Sequence, residues 1–140
     1  MAQPWRDDDV ADILRQSKTI AVVGLSDDRF RPSYGVARYL QQDGYRIVPV
    51  NPNEAEVLGE KAYATLSDVP LAIDVVDVFR RPEHALDVVQ QAIRAGAKTI
   101  WLQPGTGTEE AAELARQAGL KVVLNRCMAT EARRLHAAVK

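Results

Sequence analysis

Short apolar runs rich in Val and Ile recur along this chain, with amphipathic stretches between them. That alternation limits the fold more than any other feature. The runs fall at residues 19–24, 46–50, 73–79, 98–103 and 121–124. Several are nearly continuous in Val, Ile and Leu, which is the composition of strands buried on both faces in a parallel sheet. The stretches between them carry helical periodicity. Residues 33–43 place Val36, Ala37 and Leu40 on one face, and residues 82–95 open on Pro82 and align Leu86, Val89 and Ile93. Residues 106–118 open on Thr106 and Glu109 in capping-box spacing and turn Leu114 and Ala115 inward. Residues 129–139 repeat the pattern with Ala132, Leu135 and Val139, and an opening helix at about 8–16 uses Val10, Ile13 and Leu14. Gly44-Tyr45, Gly96-Ala97 and Gly119-Leu120 read as helix ends, where glycine accepts the left-handed conformation before the next strand. These signals predict a doubly wound α/β fold, a mainly parallel sheet of about five strands with helices on both faces. Residues 53–70 are less regular, with a short strand or helical turn expected at about 61–66.

The chain has 140 residues, 46% hydrophobic and 26% charged, enough for one domain with a core and not a disordered or fibrous composition. Its 18 basic and 19 acidic residues leave a net charge of -1, which argues against a duplex nucleic-acid partner. A single cysteine, Cys127, excludes a disulfide framework and a cysteine-rich zinc site. Neither a signal peptide nor an apolar run of the ~20 residues a membrane helix needs is visible, so the expectation is a reduced, cytoplasmic protein with no membrane partner.

In an open α/β sheet, ligands bind beyond the carboxyl ends of the strands. The segments following the expected strands hold Arg29, Arg31, Arg80, Arg81 and Arg126, a rim of guanidinium groups on a nearly neutral protein. Such groups suit bidentate capture of phosphate or carboxylate. The first of these segments departs from the dinucleotide fingerprint. Gly24 is followed by Ser26 and Arg29 where later glycines would stand, and Asn51 takes the place of the acidic ribose ligand. Gly24 still permits a tight turn, and Ser33 is positioned to cap the next helix, whose N-terminus attracts phosphate. The pattern points to a phosphate site not built for NAD.

These segments also carry a family resemblance. Val22-Val23-Gly24-Leu25-Ser26, Arg31-Pro32-Ser33-Tyr34-Gly35, Tyr39-Leu40, Gly44-Tyr45, Pro49-Val50-Asn51-Pro52, Leu58-Gly59, Lys61-Ala62-Tyr63, the segment 74–82, Trp101-Leu102-Gln103-Pro104-Gly105 and Asn125-Arg126-Cys127-Met128 resemble the CoA-binding domain family over residues 19–135. The likeness is to its stand-alone bacterial form, similar to the N-terminal domain of the succinyl-CoA synthetase α subunit and of ADP-forming acyl-CoA synthetases. It implies a Rossmann-like fold and coenzyme A as ligand. Position by position, it implies that Ser26, Asp27, Asp28 and Arg29 lie against the CoA phosphates, with Ser33, Tyr34 and Gly35 opening the adjacent helix. Asn51 and Pro52 fall beside the adenosine, and Val78, Phe79 and Arg80 near adenine and pantetheine. Gln103, Pro104 and Gly105 fall along the pantetheine arm, and Asn125, Arg126 and Cys127 near the thiol. Asp27 and Asp28 depart from the glycine-rich loop of the synthetases, and carboxylates there repel phosphate unless they point outward or cap backbone amides. The phosphohistidine domain of the synthetases has no counterpart in the 140 residues, so ligase activity is not implied.

Few other polar residues suggest chemistry. His84 reads as a first-turn surface histidine and His136 as solvent-facing, and neither has metal-ligand spacing to the other or to Cys127. Glu109-Glu110 fits a helix start. Cys127, beside Arg126 and ahead of a helix, stands where a thiolate is stabilised and is a candidate for a mixed disulfide with CoA. The leading expectation is a module over residues 1–140, with 1–18 as a helical extension, that binds CoA or acyl-CoA. The alternatives are a small NAD(P)-binding oxidoreductase, or an interaction protein using Trp5, Trp101 or the last helix on a Rossmann scaffold. A homo-oligomer or an unidentified protein partner stays open.

Overall fold

A computed structural model of the chain describes residues 7–139, so Trp5 lies outside the described residues. Five parallel strands form one sheet: β1 (Thr19–Val23), β2 (Arg46–Val50), β5 (Val75–Val78), β6 (Thr99–Leu102) and β7 (Lys121–Leu124). A separate antiparallel pair, β3 (Glu56–Val57) and β4 (Glu60–Lys61), stands beside it. The large sheet runs in the order β2-β1-β5-β6-β7. The chain therefore steps one way from β1 to β2 and then turns back past β1 to build the other side. That reversal opens a crevice above the carboxyl ends of β1 and β5.

The strands match the expected runs because each is apolar on both faces. Ala21, Val23, Val76, Val78, Ile100 and Leu102 face a core closed by α3 (Ala85–Arg94) and α4 (Glu109–Gln117). Ile20, Val22, Val75, Trp101 and Val123 face a second core closed by α1 (Asp7–Gln16), α2 (Pro32–Gln42) and α5 (Met128–Val139). The result is the Rossmann-like α/β arrangement with helices on both sides of a parallel sheet.

The glycine signals hold at the ends of α2, α3 and α4. Gly44, Gly96 and Gly119 have φ of 103°, 76° and 90°. The amides that follow them, on Tyr45, Ala97 and Leu120, donate back to the carbonyls of Leu40, Ala92 and Ala115, closing each helix with a Schellman pattern. Three helix starts differ from expectation. Pro82 opens a 3-10 turn, Pro82–His84, and α3 itself begins at Ala85. The N-cap of α4 is Thr108, whose hydroxyl accepts the Ala111 amide, whereas the Thr106 hydroxyl donates to the Gln103 carbonyl at 2.7 Å. Ser33 lies inside the first turn of α2, which begins on Pro32 after Arg31. Its Oγ accepts the Ser26 amide at 3.1 Å, fastening the preceding loop instead of capping the helix.

The irregular segment resolves into the β3–β4 hairpin, a bridge from Tyr63 to Val50, and a 3-10 turn at Leu66–Asp68. Leu58 and Gly59 at its tip both take positive φ, 55° and 76°, as a type I′ turn demands. Leu is an unusual residue there. Tertiary contacts support it: Gln41 Nε2 donates to the Leu58 carbonyl at 3.0 Å, and the Leu58 side chain packs on the α2 side of the core.

Candidate functional site

The crevice at the strand-order reversal is a cavity of about 550 Å³, within the size of small-molecule sites. Its walls come from four loops, those after β1, β5 and β6 and the turn between β7 and α5. Gly24 ends β1 with φ 87°, and its amide extends the ladder to the Val50 carbonyl at 2.8 Å. A Cβ on Gly24 would stand 2.4 Å from the carbonyl oxygen of Phe79, so only glycine lets the first two walls approach.

Nine of the residues expected at the site line this cavity: Gly24, Ser26, Ser33, Phe79, Arg80, Gln103, Pro104, Gly105 and Cys127. Arg31 and Arg81, noted in the arginine rim without an assigned role, line it as well, together with Pro32, Val36, Pro82 and Thr106. The remaining expected residues lie outside its walls. Val78 is fully buried in the core. Arg29 and Gly35 are exposed, Tyr34 is half-buried against the second core, and Pro52 is exposed. Asn51 spends its side-chain amide locally, donating to the Leu25 carbonyl at 3.1 Å and accepting the Asn53 amide at 2.9 Å. Asn125 takes the left-handed conformation at φ 61°, which Asn tolerates, in the turn after β7. Arg126 pairs with Glu131 at 3.1 Å, and its carbonyl accepts the Trp101 indole N–H at 2.7 Å.

The two acids of the first loop do not face the cavity. Asp28 accepts the Phe30 amide at 2.9 Å, and its other oxygen lies 3.9 Å from Arg31. The Asp27 amide donates to Glu54 at 2.8 Å, drawing that loop toward the loop after β2. The charged side chains that do line the walls are the guanidinium groups of Arg31, Arg80 and Arg81, so the cavity favours anions.

At the far wall, Cys127 immediately precedes α5. Burial works to raise the pKa of its thiol, but hydrogen bonds from the Thr130 hydroxyl and amide, the Gln103 side chain and the Ala129 amide outweigh it and hold the pKa below the ordinary value. Gln103 is itself buried, and its Oε1 accepts the Met128 amide at 3.0 Å. Asp77 in β5 was not singled out in the sequence. It is completely buried, neither carboxylate oxygen has a hydrogen-bond partner, and burial, then the nearby Cys127, push its pKa well above the usual carboxylate range. The signal available was a single acid inside an otherwise apolar strand.

The two histidines lie elsewhere. His84 closes the 3-10 turn Pro82–His84 without a capping bond, and His136 faces Asp43 at 3.0 Å. Among the described residues no cluster of His, Cys, Asp or Glu has metal-binding geometry, and no helix is long and apolar enough to cross a membrane.

A family model for the CoA binding domain matches residues 18–133. The chain belongs to the CoA binding domain family. It is 40% identical over 120 residues to the protein YneT of Bacillus subtilis, spanning 86% of this chain and 89% of YneT. A solved structure from Pyrococcus horikoshii OT3 shares 42% identity and superposes with a TM-score of 0.92, covering 97% of this chain and 98% of that one. The chain is also 27% identical over 120 residues to the α subunit of an ADP-forming acetate–CoA ligase II of Pyrococcus furiosus. That match takes in 78% of this chain and 26% of the ligase subunit. CoA binding domain members of this kind therefore occur both as chains of this length and as one part of acyl-CoA synthetases.

Proposed function

We propose that this chain binds coenzyme A or an acyl-CoA as a module without ligase activity of its own, in a reducing cytoplasm. The observation that carries the reading is one cavity that joins three guanidinium groups, a Gln103–Gly105 turn and a cysteine in a protein of net charge -1. Coenzyme A needs those features in one place: cations for its phosphates, a polar turn for its amide-bearing arm, and a setting for its thiol. Neither Asp27 nor Asp28 lines the cavity, and Asp28 bonds within its own loop to the Phe30 amide, which lessens the charge conflict of two acids in the first loop. In this reading Arg31, Arg80 and Arg81 hold the phosphates, and Gln103, Pro104 and Gly105 run beside pantetheine. The match to one quarter of a ligase subunit supports a shared binding role and carries no reaction with it.

A nicotinamide dinucleotide fits less well. The position of an acidic ribose ligand holds Asn51, whose amide is already engaged at both ends. Thermal shifts with CoA, acetyl-CoA, NAD, NADP and ATP in parallel test the reading. A ligand at ~100 times its dissociation constant adds about 2.7 kcal/mol. Stabilisation by CoA or acetyl-CoA alone is expected, and stabilisation by NAD alone would overturn the assignment.

A further inference from the structure

We propose that Cys127 is a resident nucleophile that exchanges with the disulfide of oxidised coenzyme A, so that the cavity captures CoA covalently and reversibly. The choice of substrate rests on the CoA reading; the reactivity of the cysteine does not.

Three observations converge on the sulfur. Cys127 lines the cavity and is only half-buried, so a second sulfur can approach it. It stands directly before the 12-residue α5, whose Ala129 and Thr130 amides and Thr130 hydroxyl, with the Gln103 side chain, favour the thiolate over the thiol. Gln103 cannot easily turn away, because its Oε1 is anchored on the Met128 amide. This donor set stabilises a thiolate. A cysteine that only fills space needs none of it.

The third observation is Asp77. Its Cα registers with Val22 and Trp101, so its carboxyl shares the sheet face that α5 covers. Both of its oxygens are buried and unpartnered, a rare condition that asks for an explanation. A carboxyl in that setting keeps its proton and sets no second negative charge beside the sulfur. The charge then resides on Cys127, toward the arginine-bearing cavity that also holds Arg31, Arg80 and Arg81.

The step balances without another reactant. The Cys127 thiolate attacks one sulfur of a CoA disulfide. The new S–S bond forms as the old one breaks, and one CoA leaves as a thiolate that takes a proton from water. Cys127 is oxidised and the small disulfide is reduced by the same two electrons. A free thiol reverses the exchange.

Intact-mass analysis tests this on the full chain, where one cysteine makes the site unambiguous. The protein is incubated with CoA disulfide and, separately, with oxidised glutathione. The expected result is one CoA added, removed by reductant, absent from Cys127→Ser, and formed several-fold faster than the glutathione adduct. Absence of any adduct overturns the nucleophile, and equal rates with both disulfides overturn its direction toward CoA. Calorimetry of reduced CoA with the native chain, kept reduced, separates this from the binding reading. Binding there alongside no adduct on the native chain sinks only the exchange. Absence of binding there sinks the CoA reading and, with it, the choice of substrate.

Discussion

The Cα of Gly24 and the carbonyl oxygen of Phe79 approach so closely that a methyl group on Gly24 would lie 2.4 Å from that oxygen. This contact joins the loop after β1 to the loop after β5 across the strand-order reversal. Since Gly24 also has φ 87°, Gly24→Ala combines backbone strain with a clash against a main-chain atom that cannot rotate away. The expected cost is about 3 kcal/mol, read as a fall in the urea midpoint, with loss of ligand binding in the protein that stays folded. A midpoint shift within about 0.5 kcal/mol would show that the two walls are free to separate.

Asp74 ties the opposite end of β5. Its carboxylate accepts the amides of Lys18 and Thr19 at 2.8 and 3.0 Å and lies 3.4 Å from Lys98. Burial opposes ionisation, but these partners together hold its pKa below the ordinary value. A depressed carboxylate stabilises the fold above the unfolded pKa of about 3.9 and loses that contribution as pH falls through the folded value. Asp74→Ala is expected to cost about 2 kcal/mol at pH 7, with the gap closing in acid denaturation series below pH ~4. A gap independent of pH would mean that the charge is not what stabilises.

For Asp77 the sign reverses. Burial, then the charge on Cys127, raise its pKa, so the unfolded chain releases this proton before the folded one does. Stability therefore falls as pH rises above about 4, until the folded value is reached. Asp77→Asn removes the titration. Its stability relative to the native chain is expected to rise steadily over that interval in parallel pH–urea series, and parallel curves would contradict a protonated Asp77.

Capping of α4 separates two neighbouring threonines. Thr108→Ala removes the acceptor for the Ala111 amide and is expected to cost about 1 kcal/mol in thermal or urea unfolding. Equal stability would place the cap elsewhere.

The strands were legible because burial on both faces leaves unbroken apolar runs, and the helix ends because Gly44, Gly96 and Gly119 each supply the positive φ of a C-cap. What escaped was decided by contacts distant in sequence. The Leu58-Gly59 turn lacks the usual Asn-Gly signal and depends on Gln41. Thr106 and Thr108 offer the same hydroxyl two residues apart, and only the Gln103 carbonyl, which engages the first, distinguishes them. The cavity brought together residues from four loops as strand-end reasoning anticipates. That reasoning does not say which way a side chain turns: Asp28 bonds within its own loop, Arg126 pairs with Glu131, and Arg81 reaches the wall. Asp77 was hidden by its apolar neighbours, although an acid in a central strand is the kind of exception that marks a site.

The most direct test of the account is a calorimetric titration of the native chain and Arg80→Ala with coenzyme A at two salt concentrations. The expected result is saturable one-site binding by the native chain. Arg80→Ala should bind about tenfold or more weakly, with a shallower salt dependence, as loss of one charge-assisted phosphate contact implies. Absence of saturable binding by the native chain, or an affinity untouched by removing Arg80, would contradict the claim that this arginine-lined cavity holds CoA.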